Sequence, residues 1–227
     1  MRRMPVPLAA RLALVPLALL VAAAVAAPPV DPPEGLDARV RRFLEERRGS
    51  WRDMNVSEAD GRALHDLVVE NKYTRGLEIG TSTGRSGIWI GWAMAKTGGK
   101  LVTVDIDEGR HREAVANFRA AGVEPWIDAR LADAHELVPK LSGPFDFVFI
   151  DADKDWYTNY AKAVLPKLKV GGSLTAHNVS PRGGWRRQMT GDFYDFMTGL
   201  PSMTSGFREG VFVSRKVGQS RGAVPRM

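Results

Sequence analysis

Side chains that could bind a cation or move a proton directly follow a continuous apolar stretch. Residues 145–150 (FDFVFI) run into residues 151–154 (DADK), and His177 and Asn178 end a later apolar stretch. Carboxylates at the mouth of a buried strand are costly without partners, and a hard divalent cation is a natural partner for them. Asp151, His177 and Asn178 could therefore converge on one ion. Alternatively, the two aspartates cap the next helix and the lysine pairs with them. Residue types alone leave both interpretations open.

A second chemical signal lies in RGLEIGTSTGRSG (75–87), in which a short apolar run ends in a glycine turn and a helix-like segment follows. Strand, glycine-rich turn and helix are how α/β proteins hold nucleotide-like cofactors. The glycines fall at Gly80, Gly84 and Gly87. Neither the dinucleotide fingerprint nor the P-loop has this spacing. The remaining pattern, E-x-G-x-x-x-G after a strand, resembles motif I of the class I S-adenosylmethionine (SAM) methyltransferases.

The elements that must position these residues alternate regularly along the chain. Hydrophobic periodicity and turn residues predict seven helices, at 36–48, 58–71, 86–95, 110–121, 134–141, 156–165 and 188–199. They also predict seven strands, at 76–79, 100–105, 124–129, 145–150, 173–176, 203–207 and 211–215. Alternation of this kind favours a doubly wound, mostly parallel sheet. Residues 208–210 are too few for a parallel crossover, so the last two strands form an antiparallel hairpin. We therefore expect an α/β, Rossmann-like class I methyltransferase fold.

Two further acids lie at predicted strand ends, where open α/β sheets bind ligands. Asp105 ends the second strand and is placed to hydrogen-bond both hydroxyls of a ribose. It could instead cap the next helix, although Asp107 is better placed for that. Asp133 follows the third strand and would meet an adenine amine, cap the helix that begins at Ala134, or do both.

Several stretches together resemble the cation-dependent O-methyltransferases, the group of catechol and caffeoyl-CoA O-methyltransferases and their bacterial relatives. These stretches are MNVSEADG (54–61), LEIGTSTGRSG (77–87), VTVDID (102–107), FDFVFIDADK (145–154), NYAKAVLPKLKVGGSL (159–174) and HNV (177–179). The resemblance implies a SAM site formed by Val56, Glu78, Gly80, Ser86, Asp105 and Ala134, with Asp133 beside it. It also implies metal binding by Asp151 and Asn178 and a catalytic Lys154.

The chain departs from this family at His177, where the family usually has an aspartate that binds the metal. Mg²⁺ prefers oxygen ligands, whereas Zn²⁺, Fe²⁺, Ni²⁺ and Co²⁺ accept imidazole. Three outcomes are open. The site holds a softer metal through Asp151, His177 and Asn178, binds a metal weakly through Asp151 and Asn178, or has lost it.

The resemblance implies methyl transfer from SAM to a hydroxyl of a small, aromatic diol acceptor. A metal would bind two adjacent acceptor oxygens and acidify one hydroxyl, and Lys154 would take its proton. Trp156 and Trp185 follow the fourth and fifth strands and could form walls for a flat acceptor. Two alternatives are a metal-independent methyltransferase and an exported SAM-binding protein without catalysis.

Length and composition suit one α/β domain at residues 36–217, because 227 residues are enough for a full core. The chain contains no cysteine, which excludes disulfides and thiolate metal sites. Of the net charge of +6, Arg2, Arg3 and Arg11 supply half, so no nucleic-acid partner is expected. Homodimerisation is an expectation from the family alone.

The N-terminal residues 1–27 carry those arginines before an apolar run and small residues, a pattern typical of a signal peptide. An uncleaved membrane anchor is the alternative. A Pro-rich linker (28–35) would follow, and a disordered tail (218–227) would end the chain. With this signal the protein would be exported, periplasmic or membrane-associated, and otherwise it would be cytoplasmic.

Overall fold

A computed structural model describes residues 35–51 and 54–218. The predicted signal peptide, nearly all of the predicted linker and residues 219–227 of the predicted tail lie outside the described residues. The strands are β1 (Arg75–Ile79), β2 (Lys100–Asp105), β3 (Ile127–Leu131), β4 (Phe145–Ile150), β5 (Leu168–His177), β6 (Met203–Arg208) and β7 (Val211–Lys216). The α-helices are α1 (Leu36–Glu46), α2 (Glu58–Asn71), α3 (Arg85–Thr97), α4 (Glu108–Ala121), α5 (Ala134–Leu137), α6 (Tyr157–Val164) and α7 (Trp185–Gly199).

The strands form one seven-stranded sheet in the order β3-β2-β1-β4-β5-β7-β6. Strands β1 to β5 pair in parallel, whereas β7 pairs antiparallel with both β5 and β6. The predicted fold, including its terminal hairpin, is therefore confirmed. Ile79 pairs with Ile150, and Ile150 with Ala176, so the carboxyl ends of β1, β4 and β5 are level.

Local sequence explains where the helices next to the site begin. Ser57 accepts a hydrogen bond from the backbone N–H of Asp60 and caps α2. Asp107 accepts from Arg110 and caps α4, which leaves Asp105 free of the capping role. Gly122 ends α4 with a φ of 83°, the left-handed conformation that favours glycine after a helix.

The hydrophobic core lies on both faces of the sheet, as the doubly wound topology requires. One cluster packs α1 to α4 against the face that carries Phe147 and Phe149. The other packs α6 and α7 against the face that carries Val148 and Ile150. Every residue of β4 is buried, so this strand is the centre of the sheet and its carboxyl end opens directly towards the site.

Some predicted boundaries are wrong, in most cases next to proline or glycine. Residues 124–126, predicted as strand, form a 3-10 turn around Pro125, and β3 begins only at Ile127. The helix from Ala134 changes into a 3-10 turn around Pro139. Gly171-Gly172 lies inside β5 rather than before it. Among the described residues, no helix is both long and apolar enough to cross a bilayer.

Candidate active site

A pocket of about 880 Å³ lies at the carboxyl ends of the strands, across the ends of β1 and β4. The connections reverse direction between these two strands, which is where open α/β sheets bind ligands. Eight of the predicted site residues line this pocket, and exposed apolar side chains stand at its rim. The predicted residues are Gly80, Asp105, Asp133, Ala134, Asp151, Lys154, His177 and Asn178, and the rim residues are Met54, Ile106, Trp185 and Met189.

The glycine turn after β1 lies against the end of β4. Gly80 has a φ of 98°, and a Cβ at this position would lie 2.5 Å from the carbonyl oxygen of Asp151. Its N–H donates to the carbonyl of Val104, and the N–H of Asp151 donates to the carbonyl of Ile79. Gly80 is therefore required here both by conformation and by space. The glycine lets the turn after β1 lie directly against the backbone at the end of β4.

Asp105 is held in one orientation by two backbone donors. The N–H of Ser82 donates to its Oδ2 at 2.7 Å, and that of Asp107 donates to its Oδ1 at 2.9 Å. Each carboxylate oxygen keeps a further lone pair. A fixed carboxylate at the pocket wall can accept hydrogen bonds from a ribose diol.

Asp133 caps α5 by accepting from the backbone N–H of His135, and it also lines the pocket. Asp133 thus serves as the helix cap, and because it also lines the pocket, its carboxylate can contact an adenine amine as well. The ring of His135 stacks on Trp156 at 4.2 Å, and its Nε2 lies 3.0 Å from Asp153. Trp156 therefore packs beside this end of the pocket.

Three residues implied by the resemblance, Val56, Glu78 and Ser86, are buried beneath the pocket instead of lining it. Glu78 accepts a hydrogen bond from Thr103, whereas its other oxygen, Oε1, is buried without a partner. Burial raises the pKa of Glu78 to about 7, against the opposing hydrogen bond from Thr103. Among the predicted cofactor residues, the fixed carboxylate of Asp105 at the pocket wall suits a nucleoside cofactor.

Lys154 lies in the wall of the pocket, with 15% of its side chain exposed. Its Nζ donates to Oδ1 of Asp151 at 2.7 Å, to the hydroxyl of Tyr157 at 2.8 Å and to the carbonyl of Ala152 at 3.1 Å. Burial and the charge of Asp151 raise the pKa of Tyr157 well above its usual value, so its hydroxyl is neutral. Three acceptors match the three N–H groups of an ammonium.

His177 lies between two carboxylates, one of which the sequence did not predict. Its Nδ1 is 3.2 Å from Oδ2 of Asp151, and its Nε2 is 3.3 Å from Oδ2 of Asp60, at the start of α2. Burial lowers the pKa of His177, but the hydrogen bonds and charges of the two carboxylates outweigh it. The pKa therefore lies above its usual value.

This arrangement does not fit the metal ions considered above. Mg²⁺ binds among oxygen ligands, yet the side chains that face the two oxygens of Asp151 are the nitrogen groups of Lys154 and His177. A softer metal needs an imidazole lone pair, yet both ring nitrogens of His177 face carboxylates. Within residues 35–51 and 54–218, no group of three or more His, Cys, Asp or Glu side chains is arranged to hold a metal.

Comparison with known proteins identifies the family. The sequence profile of the O-methyltransferase family matches residues 34–188, more than half of the 227 residues. The chain belongs to the O-methyltransferase family. Its match to a catechol O-methyltransferase of Niastella koreensis is 35% identical over 130 residues and covers 56% of this chain and 58% of that protein. Its match to a caffeoyl-CoA O-methyltransferase of Eucalyptus globulus is 33% identical and covers 57% of this chain and 54% of that protein.

The chain therefore matches less than two thirds of the length of these O-methyltransferases. Solved structures agree in fold over a larger share. An O-methyltransferase from Bacillus cereus, solved with SAH, superposes with a TM-score of 0.67 at 24% identity, over 82% of this chain and 92% of that one. The O-methyltransferase TomG from Streptomyces achromogenes, solved with SAM, gives 0.65 at 24% identity, over 83% and 92%.

Proposed function

We propose that this protein transfers a methyl group from SAM to a hydroxyl of a small, aromatic diol. The observation that carries the proposal is one continuous pocket with two chemically different halves. The half beside Gly80 and Asp105 suits a nucleoside, and the half beside Lys154 and Trp185 suits a hydroxylated ring.

The acceptor half combines apolar walls with a cation. Trp185 and Met189 begin α7 and remain 56% and 43% exposed, so they present apolar surface that packing in the described chain does not use. Flat rings bind well against such side chains. Catechol and caffeoyl-CoA, which appear in the names of related enzymes, both carry a hydroxylated ring.

When bound, SAM supplies an electrophilic methyl group, whose C–S bond breaks as the new O–C bond forms and the electron pair stays on sulfur. The protein has to orient the two reactants in line and remove the hydroxyl proton. We assign the second task to Lys154. As an ammonium, its Nζ stabilises the oxygen as negative charge develops; in the neutral amine form, it accepts the proton and becomes the ammonium.

Substitution of Lys154 tests this assignment. Lys154→Met is expected to lower kcat by about 100-fold or more, the usual contribution of a proton-transfer residue, while SAM affinity stays unchanged. The assay is methylation of a catechol panel followed by mass spectrometry, with SAM binding measured by calorimetry. Lys140→Met, on an exposed side chain, is the matched control. Lys154→Arg separates the roles, because a guanidinium keeps the charge but cannot accept a proton.

The outcomes distinguish the competing functions. Failure to bind SAM would refute the cofactor assignment. SAM binding without turnover on any acceptor would instead support an exported SAM-binding protein without catalysis. Turnover that a chelator leaves unchanged would support metal-independent transfer, which the contacts of His177 favour.

A further inference from the structure

Asp60 is the least expected member of the site, and it is firmly fixed. The hydroxyl of Ser57 donates to its Oδ2 at 2.7 Å, and the backbone N–H of Gly210 donates to its Oδ1 at 2.8 Å. Burial raises the pKa of Asp60, but these hydrogen bonds and the charge of His177 outweigh it and keep the pKa below its usual value. The start of α2 and the β6–β7 turn thus hold a carboxylate next to the pocket.

The ring of His177 connects this carboxylate to Asp151. The backbone at His177 is fixed by pairing with Val211 in β7, and its carbonyl accepts a hydrogen bond from Tyr157. Only 15% of the His177 side chain is exposed, compared with 12% for Asp151 and 11% for Asp60. A ring held between two nearly buried carboxylates has no polar atom left for another ligand.

Lys154 completes a continuous chain of contacts. Its Nζ donates to Oδ1 of Asp151, while Nδ1 of His177 lies within hydrogen-bond distance of Oδ2. The order Lys154–Asp151–His177–Asp60 therefore gives every charged oxygen of Asp151 an N–H partner from the protein itself. A divalent cation normally supplies that compensation for clustered carboxylates.

We propose that His177 replaces the divalent cation in this site, so that the protein binds no divalent metal there, and that Asp60 is the positioning residue that fixes the His177 ring. The consequence for turnover rests on the methyl transfer proposed above, whereas the metal-binding consequence does not. Asp60 acts on the reaction only through His177 and Asp151, which in turn orient Lys154.

Direct metal titration tests the first part. Full-length protein, stripped with a chelator, is titrated with Mg²⁺ or Zn²⁺ alone by calorimetry. We expect no stoichiometric binding to the natural chain and binding of one Mg²⁺ per chain by His177→Asp, which restores an oxygen ligand. If His177→Asp does not fold without metal, a rise of its Tm with Mg²⁺ gives the same answer. The proposal would be overturned if the natural chain bound the metal stoichiometrically and His177→Asn abolished that binding.

Asp60→Asn tests the positioning role, with Asp66→Asn on the exposed side of the same helix as its control. We expect Asp60→Asn to shift the ¹⁵N resonance of His177 Nε2 and to lower kcat at least tenfold, with the KM for SAM unchanged. An unchanged resonance and kcat would remove Asp60 from the site. Absence of turnover in every protein, including the natural one, would refute methyl transfer, while the metal titration would still decide the role of His177.

Discussion

Replacing Glu78 with glutamine is expected to remove a large pH dependence from folding stability. Glu78 is fully buried under the glycine turn, and burial raises its pKa from 4.5 to about 7. A carboxyl with a raised pKa binds its proton more tightly in the folded state than in the unfolded state. Its stabilising contribution is complete below about pH 4.5 and is lost as the pH rises to about 7. The folded protein is thus destabilised when the buried group must ionise.

The size of the effect follows from that change in pKa. Each unit corresponds to about 1.4 kcal/mol, so the rise to about 7 corresponds to roughly 3 kcal/mol of unfolding free energy. Other groups add their own pH dependence, but they are common to the natural chain and to Glu78→Gln. The difference between the two proteins therefore isolates Glu78.

Urea denaturation at several pH values between 4.5 and 8, without cofactor, measures this difference. We expect the natural chain to lose about 3 kcal/mol relative to Glu78→Gln between the two ends. Glutamine has nearly the shape of glutamate and still offers an acceptor to Thr103. Any change in unfolding free energy that comes from the substitution itself is therefore the same at every pH. Glu136→Gln, on an exposed side chain, should give parallel curves. Parallel curves for Glu78→Gln as well would refute an ionisation cost at this residue.

Two further predictions concern the cofactor half of the pocket. Gly80→Ala should lower the free energy of unfolding by at least about 1–2 kcal/mol, because its φ is positive and its Cβ would clash with the Asp151 backbone. Gly206→Ala, whose Cβ would meet nothing within 4 Å, is the control in the same urea assay, and equal losses would contradict the argument. Asp105→Ala should weaken SAM binding about tenfold to a hundredfold, the value of a hydrogen bond to a charged group. Calorimetry measures it, and an effect no larger than that of the exposed Asp128→Ala would exclude Asp105 from the site.

Much of the fold was predictable because its signals are local. The apolar run of β4, the cap of α2 and the Gly122 stop each depend on a few neighbouring residues. The boundaries of β3 and β5 were less predictable because the sheet decides them. Gly171-Gly172 lies within β5, and the pairing of β5 with β4 shifts register after Phe145 to include these two residues.

The site was predictable to the extent that strand ends converge. Asp105 and His177 are the last residues of β2 and β5, and Asp151 follows β4, so parallel pairing brings all three to one edge. Asp60 was not predicted to belong to the site, because Ser57-x-x-Asp60 reads as a helix cap and does form one. Its second role depends on Gly210, which is 150 residues away. The signal in the sequence that could have pointed to Asp60 is an acid in the first turn of α2 together with a histidine at a strand end.

That long separation has a consequence for the order in which the protein can be assembled. The residues on which Asp60 and His177 rely, Gly210 and Val211, belong to the final hairpin. During synthesis, β1 to β4, whose ends form the nucleoside half of the pocket, leave the ribosome before this hairpin. The acceptor half, in contrast, cannot be completed until the hairpin has been made. A nascent chain that stops before β7 would leave the edge of β5 unpaired and His177 without its support. Catalytic competence would therefore be acquired only when the hairpin closes, late in translation.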